Sequence, residues 1–594
     1  MVPHCRQATY LNATKFISTT YQLAADPDPR LGHYNGHMPV SLSAANPRKW
    51  LLICSVIVLI WFVGLDWRPL LTPDEGRYAE IGREMAASGD FITPRLNGLS
   101  YFEKPPLHYW LTALAFKAFG VSDWVVRLIS ALYGFGAALL AYVALLRLRD
   151  RTSAQLAFLI SIGCCWIAAM GHFVALDIGL NFWLTMTLCG LIGCVERLDA
   201  QALTQRADAI GGWPDYWVWF GLSGAFLSKG LIGLVVPAAA MFLTIVVTRR
   251  LSLITAVRWW PGVFLFTALV LPWLILISSR NPGVLEFFFI HEHFARFTSQ
   301  VHRRVEPWWY FVPVFLLGGL PWLGHWLAVW RNRVRSSADT VLLTWCAFLF
   351  VFFSASGSKL PSYILPMFPA LAIWLARQQR ALSPVALRYA SLPMLLAGLL
   401  LCAALLPLMQ EADRDETGSL ASGYLPWAVG ACVALILGAI ASWCSVKGQH
   451  SRGALSAIAP LAVAMLLTVQ FLQWGHSSLG ERFSARALVQ RWLAQEPTMR
   501  ADTPIFSVGT YDQTIPFYLA RTVTLVDYRD EMDMGLKIEP HKYGGSSQEL
   551  LQRWPSLPLA YAVLDLGGIE QWRAAGVPFR EVTRNGRRVV VANR

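Results

Sequence analysis

The residues best suited to chemistry are carboxylates and cations set beside apolar runs. The stretch T-P-D-E-G-R-Y puts Asp74 and Glu75 directly after a long apolar segment, with Arg77 and Tyr78 close behind. Carboxylates at the edge of hydrocarbon are costly and are kept there for function or for pairing. The plain alternative makes Asp74 the cap of a helix that starts at Glu75. Its place on an unusually long loop favours chemistry. Further on, Y-F-E-K-P-P-L-H-Y-W sets Glu103 and Lys104 before a double proline. Pro105 and Pro106 suit the first turn of a helix, so Lys104 falls near a helix N-terminus, where ammonium and helix end both attract phosphate. F-V-A-L-D-I-G-L-N places Asp177 inside an apolar run. S-K-G carries Lys229, and S-G-S-K-L-P-S-Y-I-L-P-M-F-P carries Lys359 and Tyr363. With Arg303 and Arg304, these cations form a set suited to phosphate groups; each could instead pair with a nearby acid. His291 and His293, with Glu103, are a possible ligand set for a divalent metal. Surface histidines are the plainer reading.

These groups need elements to hold them, and the composition says which. Of 594 residues, 55% are hydrophobic and only 15% charged, against roughly 25% charged in soluble domains. Apolar stretches of about 20 residues recur, the length that crosses a bilayer as a helix. Thirteen spans are predicted, near 50–66, 124–146, 153–172, 174–196, 213–228, 230–248, 259–279, 308–330, 339–356, 361–376, 391–409, 425–446 and 454–474. With the N-terminus inside, every even-to-odd connection carries a basic cluster, from Arg147, Arg149 and Arg151 to Lys447 and Arg452, as cytoplasmic loops do. The S-K-G turn must split two spans, since a merged helix would reverse every later cluster. An odd count puts the C-terminus outside.

The domains expected are a tail over 1–47, read as disordered or as an over-long start, a membrane domain over 48–474, and an external α/β domain over 475–594. Loops 66–123 and 280–307 lie outside. The external domain is marked by helical stretches Arg482–Gln495 and Ser547–Trp554 among the apolar runs Pro504–Val508, Val523–Val526, Ala560–Leu564 and Val589–Ala592. Nine of ten cysteines lie in apolar spans, which reads as packing rather than a disulfide framework. The net charge of +13 is spread over membrane-flanking loops, so nucleic acid is not expected as a partner.

The D-E-G-R-Y loop, E-K-P-P-L-H-Y-W, L-D-I-G-L-N, S-K-G and S-K-L-P-S-Y-I-L-P-M-F-P-A-L together resemble the lipid A aminoarabinose transferase family, of the GT-C class of glycosyltransferases. The resemblance runs from about residue 50 to 475. It implies an α-helical GT-C bundle of about thirteen membrane helices under a small periplasmic α/β domain. It implies transfer of 4-amino-4-deoxy-L-arabinose from undecaprenyl phosphate to lipid A phosphates at the periplasmic face of the bacterial inner membrane. It further implies Asp74 as the catalytic carboxylate, with Arg77, Lys104, Lys229 and Tyr363 near the phosphates of donor or acceptor.

Asp177 is expected to assist Asp74. Glu75, Tyr78, Glu103, Arg303 and Lys359 complete the expected substrate surface. The acceptor phosphate is already ionised near neutrality, so Asp74 is left with orienting the acceptor, holding the sugar amine or stabilising charge at the anomeric carbon. Inversion by single displacement is expected. No cofactor is certain beyond the possible metal, and a monomer is expected. The competing readings are a GT-C transferase of another sugar, one that acts on protein as O-mannosyltransferases do, and a lipid or sugar transporter. The absence of an internal repeat counts against the transporter.

Overall fold

The computed structural model describes residues 46–149, 151–202, 210–290, 306–330, 333, 335–378, 383–412, 418–446 and 454–594, the side chains of 408–421 apart. Almost all of the tail read over 1–47, and His291, His293, Arg303 and Arg304, lie outside the described residues.

The apolar stretches are helical because backbone polar groups in lipid must bond within their own segment. In chain order they are α1 (Pro47–Phe62), the loop helices α2 (Asp74–Ser88) and α3 (Leu107–Phe119), then α4 (Asp123–Leu148), α5 (Arg151–Ile162), α6 (Cys165–Gly171), α7 (Leu176–Ala202), α8 (Trp213–Lys229), α9 (Ile232–Thr248) and α10 (Trp259–Arg280). There follow α11 (Phe311–Gly318), α12 (Leu323–Trp330), α13 (Ser337–Ala355), α14 (Met367–Arg377), α15 (Pro384–Tyr389), α16 (Leu392–Ala412), α17 (Gly418–Ser445) and α18 (Ala454–Gly475). Among the described residues seven helices are long and apolar enough to cross a membrane. The number is nine if the bent pairs α5–α6 (63°) and α11–α12 (98°) each count as one span. Each predicted span coincides with a helix or a bent pair. The tenth starts late, at Met367, because Pro361–Ile364 forms a 3-10 turn; Pro361 and Pro366 have no N–H to give a helix.

Ion pairs gather the ends that carry the basic clusters. Arg377 at the end of α14 binds Glu196 of α7 and Asp339 of α13, at 2.8 and 2.7 Å. Arg149, just past α4, reaches the same Glu196 at 2.9 Å. Arg197 binds Asp215 at the start of α8 at 2.7 Å. The opposite ends of α7 and α8 meet where Lys229 pairs with Asp177. The S-K-G turn therefore does separate two helices.

After α18 come α19 (Gly480–Phe483) and α20 (Arg486–Gln495), then β3 (Ile505–Val508), α21 (Thr514–Leu519), β4 (Thr524–Val526), α22 (Asp533–Ile538), α23 (Ser547–Arg553), β5 (Tyr561–Asp565), α24 (Leu566–Ala574), β6 (Arg580–Arg584) and β7 (Arg588–Ala592). The sheet order is β4-β3-β5-β7-β6. Strand β3 runs parallel to β4 and β5, and β7 is antiparallel to β5 and β6. All four predicted apolar runs are strands. The edge strand β6 was not foreseen, because R-E-V-T-R carries charges where an apolar pattern would mark it. A two-stranded ribbon, β1 (Arg95–Leu96) with β2 (Leu99–Ser100), lies in the first loop. Helix α2 packs directly on the C-terminal layer: a Cβ at Gly76 would meet Thr514 Cγ2 at 2.7 Å and the Gln513 carbonyl carbon at 2.8 Å. The glycine of D-E-G-R-Y is thus a contact point between the first loop and α21.

Candidate active site

Glu75 and Asp74 are neighbours in sequence with opposite surroundings. Glu75 has no exposed side-chain surface. Arg68 grips it through Nη1 at 2.6 Å and Nη2 at 3.0 Å, and Arg127 of α4 donates through Nε at 3.2 Å and Nη2 at 3.0 Å. The backbone N–H groups of Leu71 and Val174 add bonds of 3.0 and 3.1 Å. Arg68 also donates to the His172 carbonyl, and Arg127 to those of Leu65, Arg68 and Pro69. Burial pushes the Glu75 carboxyl up, but Arg127 and Arg68 together hold it well below the usual carboxylate range. A buried charge is tolerated when paired and fully hydrogen-bonded. The expectation that Glu75 touches substrate is therefore corrected: its acceptors are spent inside the protein, and it anchors the start of α2.

Asp74, one residue earlier, keeps 39% of its side chain exposed. Helix α2 begins at Asp74 with Pro73 as its cap and no side-chain capping bond, so the capping alternative for Asp74 is not what the geometry holds. Its Oδ1 accepts from Arg77 at 3.0 Å. Arg77 is pinned from the other side by Glu531. Glu531 accepts from Gln513 Nε2 at 2.7 Å, and Gln513 in turn accepts from Thr72 Oγ1 at 2.8 Å. The C-terminal layer thus grips the chain on both sides of Asp74.

Tyr78 lies within electrostatic reach of Asp74, Arg77, Asp177 and Glu103, which brings the first-loop motifs and the L-D-I-G-L-N segment together. The buried hydroxyls of Tyr101 and Tyr109 have no hydrogen-bond partner among the described residues. Burial first, then nearby Glu103, pushes the Tyr101 hydroxyl far above its ordinary value; for Tyr109 burial is followed by Tyr78. These groups stay protonated donors. Asp177 pairs with Lys229, whose Nζ stands 4.8 Å from the centre of the Tyr363 ring. Three motifs distant in sequence thereby meet at one end of the bundle.

Lys104 donates to the Glu103 carbonyl at 2.7 Å, with the Glu103 carboxylate at 3.9 Å. It also lines a narrow apolar cleft, whose walls include Tyr101, Phe102, Trp273, Ile277 and Phe288. Lys359 departs from expectation. It is buried and donates to the carbonyls of Ser356 at 2.7 Å and Glu306 at 3.0 Å, so it closes its own turn. Of the metal set, only Glu103 is described, and among the described residues no three candidate ligands converge.

Residues 493–593 match the family described as aminoarabinose transferase C-terminal domain, and residues 48–288 match dolichyl-phosphate-mannose-protein mannosyltransferase. The undecaprenyl phosphate-alpha-4-amino-4-deoxy-L-arabinose arabinosyl transferase of Aeromonas salmonicida is 32% identical over 70% of this chain and 76% of that protein. The chain belongs to the undecaprenyl phosphate-aminoarabinose transferase family. Its likeness to the family member of Edwardsiella ictaluri is 35% identity over 55% of this chain and 58% of that protein. The crystal structure of ArnT from Cupriavidus metallidurans bound to undecaprenyl phosphate is similar at a TM-score of 0.84, with 32% identity over 93% of this chain and 99% of that one. The family's GT-C fold and the multi-pass membrane character follow for this chain.

Sequence reasoning missed Arg68, Arg127, Gln513 and Glu531. A signal existed for Arg127, since a lone arginine in the apolar stretch D-W-V-V-R-L-I-S demands a partner. Nothing in Y-R-D-E-M-D-M marks Glu531.

Proposed function

We propose that this protein moves 4-amino-4-deoxy-L-arabinose from undecaprenyl phosphate onto phosphate groups of lipid A, at the periplasmic face of the bacterial inner membrane. It is a polyprenyl-phosphate-sugar glycosyltransferase. The observation that carries the reading is the solvent-reachable Asp74 at the start of α2, held through Arg77 by the C-terminal layer, with Lys104 of the same first loop lining an apolar cleft. An apolar wall that includes a cation suits the first prenyl unit and phosphate of a lipid carrier.

The reaction breaks the bond from the anomeric carbon to the carrier phosphate oxygen and forms one to an acceptor phosphate oxygen. The departing phosphate keeps the electron pair. Lys104 and Arg77 stabilise the charge it gains, and such donors act strongly in a partly dry site. The anomeric carbon passes through an oxocarbenium-like state, to which the Asp74 carboxylate offers a negative charge. Glu75 is sealed in its clamp and Asp177 is paired with Lys229, so neither is offered to Asp74 as the partner of a carboxylate pair. This favours single displacement with inversion.

Purified protein with labelled carrier lipid and either lipid A or peptide tests the reading. Labelled lipid A is the expected product. Labelled peptide would move the assignment to a protein glycosyltransferase, and translocated but uncleaved carrier would make it a transporter.

A further inference from the structure

We propose that the tip of the β6–β7 hairpin, with α19, docks on phosphates of the anionic headgroup layer of the surrounding bilayer. This goes beyond the transfer reaction, and it does not depend on which side of the membrane the site faces.

The position comes from the chain. Helix α19 follows directly on the apolar helix α18, and Gly480 packs on the Pro69 ring at the start of the first loop. The Phe483 carbonyl accepts from Thr72 N at 2.9 Å. The basic turn Arg584–Asn585–Gly586–Arg587–Arg588 is held onto this segment. Arg587 Nη1 donates to the Arg482 carbonyl at 3.3 Å, and Arg491 Nη2 to the Arg584 carbonyl at 3.0 Å.

Charge matching leaves a surplus there. Arg491 pairs with Glu481 at 2.5 Å, Arg584 pairs with Glu581, and Arg486 pairs with Asp123 at 3.3 Å. Arg588 stands opposite Asp565 across the strand ladder. Arg482 and Arg587 remain without a carboxylate partner among the described residues. Two guanidinium-bearing residues held together without an anion invite one, and phosphate takes the arginine fork well.

The apolar neighbours choose the bilayer over a soluble acidic partner. Phe483 is 39% exposed, under the Arg482 guanidinium at 5.9 Å. Trp67 is 49% exposed and lies against Trp474 of α18, with ring centres 4.8 Å apart. Exposed aromatic rings beside a membrane helix sit at headgroup level, and anionic headgroups attract arginines held within a Debye length of the surface. Since Phe483 also holds Thr72, headgroup contact would steady the loop that carries Asp74.

The test uses the full chain in nanodiscs of phosphatidylcholine, with or without phosphatidylglycerol. Hydrogen exchange is followed at residues 480–483 and 584–588. The wild type should exchange more slowly in the anionic discs, by roughly fivefold per arginine engaged, and high salt should erase the difference. Arg482→Gln with Arg587→Gln should show no lipid dependence, while the paired lysine variants should keep part of it. Equal exchange of the wild type in both discs would overturn the proposal, as would undiminished lipid dependence in the glutamine variant. Protection that appears only when lipid A is added to phosphatidylcholine discs would also overturn it, since the surface would then read the acceptor and not the bilayer.

Discussion

Replacing Glu75 by Gln separates an anchoring role from a substrate-binding one. The two Glu75 oxygens accept six bonds, four from Arg68 and Arg127 and two from backbone N–H groups. The amide keeps one oxygen and turns an NH₂ group towards donors. It also leaves two buried guanidinium groups without a counter-charge. Removing one partner of a buried ion pair costs about 3–5 kcal/mol. Because Asp74 is the preceding residue, the start of α2 shifts with it, and a displacement of about 1 Å at reacting groups can cost around 100-fold in rate. The variant should therefore melt well below the wild type and lose kcat at every carrier concentration. Thermal denaturation in detergent and steady-state kinetics against carrier supply both readouts. A Glu75→Gln protein with unchanged Tm and kcat but raised KM for carrier would refute the anchoring argument and return Glu75 to the substrate surface.

Three further expectations concern other parts of the site. At the seam between α2 and the C-terminal layer, Glu84 is pushed up to about 8 by its burial and by nearby Glu80, while the Gly98 N–H opposes the shift. A carboxyl raised in the folded state contributes stability that is fully present below its unfolded pKa of about 4.3 and is lost as pH rises through about 8. Melting scans should accordingly show the wild type losing stability relative to Glu84→Gln between those limits; parallel curves would contradict this. Lys104→Ala should raise KM for carrier more than Lys104→Arg does, because arginine keeps the charge but not the compact ammonium; wild-type kinetics in both would remove Lys104 from the donor site. Gly76→Ala should lower Tm and activity together, since its Cβ would fall 2.8 Å from backbone atoms of Gln513 and Thr514; a silent substitution would mean that this contact is loose.

Much of the architecture was legible because the bilayer imposes it. Apolar length and the placement of arginines identified the helices and separated α8 from α9 at Lys229, and the ion pairs at the two ends of the bundle agree with that order. Asp74, Arg77, Asp177, Lys229 and Tyr363 draw attention in the sequence because charged and aromatic groups stand out against hydrocarbon, and the structure brings Asp74 to Arg77 and Asp177 to Lys229 and Tyr363. What the sequence hid was pairing. Glu75 looked like a substrate ligand because its partners, Arg68 and Arg127, come from separate segments. Lys359 looked like a phosphate ligand because its carbonyl partners are backbone groups that no side-chain pattern reveals. Glu531 and Gln513 lie in the C-terminal layer, hundreds of residues from the loop they grip, and only folding brings them beside Arg77 and Thr72.

The most direct test of the central claim is sugar transfer to lipid A by purified Asp74→Asn protein, followed by the mass of the product lipid. Asparagine keeps the size of Asp74 and a hydrogen-bond acceptor for Arg77, so expression, membrane insertion and Tm should match the wild type. Removing the charge should abolish the shift in lipid A mass while carrier lipid still binds. Transfer within a few-fold of wild type by a correctly folded Asp74→Asn enzyme would contradict the account, because no other exposed carboxylate on α2 stands ready to replace it.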